Sequence, residues 1–400
     1  MALEHNESGV FATPDVANRD GSVIDEIYTD EVAVSSDTRI LVASQWRLIW
    51  WRFQQHRLAL LSAFILIFIY IVVIFAEFFA PYDPSEYSAT YTYAPPQTLY
   101  LFDGSEGHLT FSPYVNDYKV EIEQQALRRV FVIDPDVRLP VQFFVHGWSY
   151  KLFGFIKTDI HLFGPVNPGD RIYIFGADAI GRDLFSRMIY GTRVSMTIGL
   201  LGVTISLVLG ILLGGISGYF GGWIDEVIQR VIDFLRSLPT IPLWLGLTAA
   251  LPITWGPLQI YFAITLILSL IGWTSLARVV RGRFLALRTE DFVMAARLDG
   301  ASQMRVIFEH MLPAFYSHII ASITLAIPGM ILAETALSFL GLGLRAPVVS
   351  WGVLLQDAQN IRAVATAPWL LIPALGVIVS VLALNFLGDG LRDAADPYSH

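Results

Sequence analysis

SLPTIPLWLGLTAALPITWGPLQIYFAITLILSLIGWTSLA, residues 237–277, runs without one charged side chain. About 20 apolar helical residues cross a hydrocarbon core of roughly 30 Å. The stretch is therefore too long for one crossing and too apolar for a soluble surface. Pro252, Gly256 and Pro257 break it into two spans joined by a short turn, because proline removes a helix-interior N–H. Working outward, further charge-free windows run from Leu58 to Ala76, Val194 to Ile224, Met311 to Ala333 and Ala363 to Gly388. The second of these ends in a glycine-dense exit (Gly214, Gly215, Gly218, Gly221, Gly222). The pattern predicts an all-α polytopic membrane protein with six transmembrane helices.

Composition agrees. Of 400 residues, 54% are hydrophobic and only 15% charged, against about 25% charged in soluble chains; an ordinary soluble enzyme is excluded. The net charge of −9 belongs to the N-terminus: residues 1–37 hold nine acids against Arg19 alone, a net of −8 that leaves the body nearly neutral. That stretch lacks an apolar period and reads as a disordered tail. It also lacks the basic region and apolar run of a signal peptide, so the first apolar segment is expected to stay as an anchor. With no cysteine, the chain has no disulfide, thiolate nucleophile or cysteine metal site. A basic nucleic-acid face is absent.

Arginines set the expected orientation. Arg47, Arg52 and Arg57 precede the first span, and Arg278, Arg281, Arg283, Arg288, Arg297 and Arg305 follow the fourth. The turn near Pro252–Pro257 carries none. Both termini are thus expected in the cytoplasm. The organisation reads as the tail (1–37), a cytoplasmic lead-in with the first helix (38–79), an extracytoplasmic insertion (80–193) and a permeation core (194–400). The insertion is rich in aromatics, and alternating stretches at Tyr118–Ile122 and Arg129–Ile133 suggest short strands; a small α/β or β domain is expected. No internal repeat is evident.

The loop 281–313 reads RGRFLALRTEDFVMAARLDGASQMRVIFEHMLP. Glu290 to Leu298 fits an amphipathic helix, Gly300 breaks it, and Ser302 can cap a second helix through Glu309. The result is a compact knob whose Ala295, Ala296 and Gly300 let a partner approach closely; the alternative is an arginine-rich interfacial loop with no partner. Upstream, Gly176-Ala177-Asp178 and Gly181-Arg182-Asp183 read as a turn into a capped helix. Asp183 then sits at the helix N-terminus, with Arg182 and Arg187 reaching headgroups. Support of an outer gate, or reception of a partner, is the expected role of Asp178, Gly181, Arg182 and Asp183. Glu334, beside Ser338 and Phe339, is flanked by apolar sequence on both sides. It reads as a hydrated helix-end acid, with a pathway or proton contact as the alternative.

Two enzymatic readings are weighed. Gly215-Ile216-Ser217-Gly218 matches the Gly-x-Ser-Gly of intramembrane serine proteases, with His318 in a later span; a helix exit explains it better. His146 and His161 lie without ligand spacing, so no metal site is expected. No lysine follows a glycine, so a phosphate-binding Gly-Lys-Ser/Thr loop is lacking. Energy comes from another polypeptide, or transport is passive or ion-coupled.

The spacing Ala295-Ala296, three residues, Gly300, then Leu312-Pro313 resembles the EAA loop of ABC importer permeases. Met294 stands where that pattern has Glu, and His310 where it has Ile. FGADAIGRDLFSRMIYGTRVSMTIG (175–199), AETALSFLGLGLRAPVVSWGVLL (333–355), LNFLGDGLRDAADP (384–397), WRLIWWRFQQHRLALLSAFI (46–65) and FAPYDP (79–84) are similar to one subfamily. It is the second (C-type) permease of dipeptide, oligopeptide and nickel importers. The resemblance implies a type I importer fold in a bacterial inner membrane. It further implies a homologous permease partner, two cytosolic ATPase subunits holding ATP and Mg, a periplasmic solute-binding protein, and no catalysis in this chain. It places Met294, Ala295, Ala296, Gly300, His310, Leu312 and Pro313 at the ATPase-coupling surface. Peptide is the implied substrate, with oligosaccharides, opines or nickel as alternatives. The insertion is longer than this family usually carries.

Overall fold

A computed structural model describes residues 45–103, 110–123, 128–167, 169–252 and 254–395; the acidic stretch 1–37 lies outside them. Two compact units divide the chain, 1–52 and 53–400. The first is described from residue 45, in helix α1 (Gln45–Gln55).

In the second unit, α2 (Arg57–Ile74) and the single turn α3 (Ala76–Phe79) lead to a four-stranded antiparallel sheet. Its strands β1 (Tyr100–Asp103), β2 (Thr110–Glu123), β3 (Arg128–Leu152) and β4 (Ile156–Pro165) pair in chain order. The insertion is thus a β meander, and its strands run well beyond the short alternating stretches read from sequence. Among the helices that follow are α4 (Leu184–Phe220), α5 (Gly222–Ser237), α6 (Thr240–Ala249), α7 (Pro257–Leu287), α8 (Asp291–Leu298), α9 (Tyr316–Phe339), α10 (Trp351–Gln356) and α11 (Ile372–Ala395).

Helices α4 and α7 run parallel. The Tyr261 hydroxyl donates to Thr197 Oγ1 at 2.9 Å, and Ser269 Oγ donates to the Gly202 carbonyl at 3.0 Å. Further along, a Cβ on Gly218 would stand 2.6 Å from the Arg281 carbonyl. Gly210, Gly214 and Gly218 therefore form a small-residue line that lets the two backbones touch, the packing device of membrane helices.

Two parallel neighbours require a return between them, and that return is not made by one long apolar helix. Among the described residues only five helices are long and apolar enough to cross a membrane. The expected third span is α6, whose ten residues rise only about 15 Å. The return leg is instead shared with α5, which Pro239 separates from α6. Helix α5 is amphipathic, so it gives no charge-free window. Two of its three acids meet the arginines of α7: Asp225 accepts from Arg281 at 2.5 Å, and Asp233 pairs with Arg278.

Helix α9 runs antiparallel to α4, with Ile331 against Gly199 and Met330 against Gly202. Helix α11 runs antiparallel to α2, with Gly390 touching Ala59. The N-terminal end of α2, the C-terminal ends of α4, α7 and α11, and the loop 288–315 therefore share one end of the bundle. The sheet stands at the other. Helix α4 begins ten residues before its charge-free window because Arg187 and Arg193 lie inside it; Arg193 is paired with Glu77 at 2.5 Å.

Candidate functional site

At the loop end, α8 leads into a corner. Gly300 has φ +80, a left-handed conformation that costs other residues about 1–2 kcal/mol. The Gly300 N–H donates to the Arg297 carbonyl and the Ala301 N–H to that of Ala296, both at 3.1 Å; these are the paired bonds that close a helix C-terminus. Ser302 then accepts from the Arg305 N–H at 3.3 Å. The second helical stretch continues past the expected Glu309 as a wide turn, Val306–Met311, leading into Pro313–Phe315.

The knob has its own core. Val293, Ala296, Val306, Ile307, Met311 and Leu312 bury against Val280 and Phe284 of α7 and Phe315 and Ile319. Two of the expected coupling residues, Ala296 and Leu312, are thus interior supports and not surface. Met294, Ala295 and Gly300 are exposed, while His310 and Pro313 are half-buried. What sequence reading missed is the exposed apolar set Phe292, Leu298, Met304 and Phe308, with Leu298 87% exposed. Their signal is large apolar residues on the face of short amphipathic helices opposite the buried one.

At the opposite end, Asp178 is buried and carries the turn before α4. Its Oδ1 accepts from the Ile180 and Arg182 N–H groups, each at 3.0 Å, and Oδ2 from Arg182 Nε at 2.7 Å and from Arg187. Gly181, at φ +80, packs on Ser88. Arg187 is buried, so the expectation that Arg182 and Arg187 reach headgroups is corrected: both are held by Asp178. Asp357 closes the cluster. Burial and the Asp178 carboxylate push its carboxyl up, with Arg187 and Arg182 pulling the other way.

Asp183 caps α4 by accepting from the Ser186 N–H at 2.7 Å. Burial pushes its carboxyl up to about 6. The fold then holds this proton more tightly than the unfolded chain does, so the contribution of Asp183 to stability is fully present below about 3.8 and is lost as pH rises through about 6. Asp183→Asn keeps the cap and is expected to flatten that part of the profile in thermal unfolding of detergent-solubilised protein. An unchanged slope between the two pH values would refute it.

Glu334 also departs from expectation. It is 0% exposed, not a hydrated helix-end acid. Ser338 Oγ donates to its Oε1 at 2.8 Å and Ser195 Oγ to its Oε2 at 3.1 Å. The same hydroxyls accept from the Leu344 N–H at 3.0 Å and the Trp351 N–H at 3.1 Å. One carboxyl thereby fastens α4, α9 and the start of α10. Phe339, half-buried, offers only its carbonyl, to Gln359.

Ser217, His146 and His161 are each engaged in structural contacts. Ser217 is buried, donating to Asp225 and accepting from Gln229 at 3.1 Å, where a nucleophile needs water and a base; the side chain of His318 lies outside the described set. His146 pairs with Asp159, and buried His161 lies between the carbonyls of Glu77 and Trp148 at 2.9 and 3.0 Å.

Residues 207–398, from within α4 to just past α11, match the family model described as binding-protein-dependent transport system inner membrane component. Residues 44–96 match that of the N-terminal TM domain of oligopeptide transport permease C. The dipeptide transport system permease protein DppC of Alkalihalophilus pseudofirmus is 39% identical over 242 residues, 59% of this chain and 77% of that protein. The chain belongs to this permease family. Also similar are the oligopeptide transport system permease protein OppC of Haemophilus influenzae (38% identical; 63% of this chain, 79% of that one) and the glutathione transport system permease protein GsiD of Pectobacterium atrosepticum (34%; 62% and 81%).

Membership makes the chain a multi-pass permease subunit of an ABC importer in a bacterial inner membrane. All four strands of the sheet fall between the two matched stretches of the permease.

Proposed function

We propose that the permease forms half of a translocation pathway for peptides delivered by a periplasmic binding protein. A homologous permease forms the other half, and two cytosolic ATPase subunits, holding ATP and Mg, drive it. The chain itself hydrolyses nothing in this reading. The observation that carries it is the knob 288–315: a compact body packed on the end of α7, with Met294, Leu298, Met304 and Phe308 exposed around the Gly300 corner. Membrane lipid has no use for such a surface beyond the ends of α7 and α9, whereas a cleft in an ATPase subunit has. The arginines of α7 stand at the same end, with the start of α2 and the end of α11, which fits cytoplasmic termini. Peptide is favoured as cargo because relatives are named for dipeptide, oligopeptide and glutathione transport. Oligosaccharides, opines and nickel are the competing cargoes in a binding assay on the external protein.

Gly300→Pro tests the coupling. Proline cannot adopt φ +80 and lacks the N–H that Gly300 donates. The variant is expected to remain in the membrane yet lose substrate-stimulated ATP hydrolysis at least tenfold when purified with its neighbouring gene products, the corner costing about 2 kcal/mol or more. Full stimulation in that variant, or a wild-type chain that transports without an ATPase, sinks the assignment.

A further inference from the structure

The β3–β4 turn lies beside the membrane-spanning surface, and nothing in the roles above accounts for it. Helix α2 exposes Leu61, Phe64, Phe68 and Ile71, an apolar stripe at helical spacing. One turn beyond Ile71, Phe75 meets Phe153 edge-to-face at 5.7 Å. One turn beyond exposed Ile74, Phe78 meets Phe144 at 6.1 Å. The turn is thus continuous with the face that α2 turns outward. His161, between the carbonyls of Glu77 and Trp148, pins the hairpin to α3 in that position.

The turn's chemistry is peculiar for water. Phe153 and Phe155 project at the turn, Phe155 being 75% exposed, and exposed Phe144 lies further back along β3. Phe144 and Phe153 hold φ 55 and 53, which bulky residues seldom adopt. Behind the rings, Lys151 and Lys157 face each other across the ladder, an arrangement of like charges that destabilises a hairpin in the absence of an anion. They line a cavity of about 480 Å³ with Ser149, Tyr150, Thr158 and Asp159, of which Asp159 is engaged by His146. Apolar rings ahead of paired cations are the two elements of interfacial membrane binding.

We propose that this turn anchors the insertion to the bilayer: Phe153 and Phe155 enter the leaflet at the sheet end of the bundle, and Lys151 with Lys157 bind an anionic phospholipid headgroup. The anchor depends only on α2 crossing the membrane, so it stands apart from the coupling and cargo readings. It fixes the height of the sheet over the outer mouth.

The chain contains no cysteine, so a cysteine at Phe155 is the sole labelling site. Nitroxide-labelled Phe155→Cys, in full-length chain reconstituted into phosphatidylcholine vesicles with phosphatidylglycerol, is expected to collide several-fold more with dissolved oxygen than with a water-soluble nickel complex. Ile122→Cys, on the far part of the sheet, is expected to show the reverse. A label at 155 that behaves like that at 122 overturns the proposal. So does one shielded from both reagents, since a protein partner then covers the turn. Lys151→Gln with Lys157→Gln is expected to remove a preference for retained phosphatidylglycerol over phosphatidylcholine of roughly fivefold per lysine; unaltered retention rejects the headgroup site.

Discussion

Asp178→Ala is expected to lower the stability of the permease by about 3–5 kcal/mol, the usual cost of leaving a buried ion without its partner. Asp178 and Arg187 are both buried, and the carboxylate also takes two backbone N–H groups and Arg182 Nε. Its removal strands Arg187 inside the bundle beside the remaining carboxyl of Asp357. The measurement is unfolding of detergent-solubilised protein followed by tryptophan fluorescence. Arg187→Met on top of Asp178→Ala removes the stranded charge and is expected to restore about half of the loss. A single variant within 1 kcal/mol of wild type shows that water reaches the cluster, and that the turn before α4 is held by other contacts.

Glu334→Ala comes next in size. Deleting a buried side chain of this volume costs about 2–5 kcal/mol through the cavity left behind. The hydroxyls of Ser195 and Ser338 lose their acceptor as well, at about 1–3 kcal/mol if either is left unpaired. Because those hydroxyls also receive the N–H groups of Trp351 and Leu344, the loop from α9 to α10 should loosen. Limited proteolysis between residues 340 and 350, with unfolding in detergent, reads both effects. Glu334→Gln keeps the shape and one acceptor oxygen, and is expected to stay within about 1.5 kcal/mol of wild type. Should Gln match wild type in stability yet abolish uptake, the charge of Glu334 acts in transport and not in fastening.

Much of the fold was legible because hydrocarbon is an unforgiving solvent: a charge-free window of sufficient length admits few other readings. Where the reading slipped, charge or length had been neutralised by a partner far along the chain. Arg187 and Arg193 hid the first ten residues of α4, since no local rule reveals that Asp178 and Glu77 cancel them. Asp225 and Asp233 kept α5 out of the charge-free windows, although Arg281 and Arg278 receive them. Gly300 and Ser302 were readable as a corner because their roles are set by adjacent backbone. Burial of Ala296 and Leu312, and of Glu334, was not, because burial is a property of the assembled bundle. The apolar face of the knob was visible only once its opposite face had found a core.

Helix α4 is 37 residues long, and so rises about 55 Å, nearly twice the hydrocarbon thickness. Its first turn is gripped by the Asp178 cluster, and Tyr219, next to its last residue, lies under the Arg297 guanidinium of the knob at 5.0 Å. The glycine line keeps it tight against α7. Such a rod acts as a lever that passes through the whole membrane. A tilt of about 10° around its middle carries each end through roughly 5 Å, by the geometry of a 55 Å rod. A rigid tilt imposed at the knob would therefore reach the far end of the helix in the opposite direction.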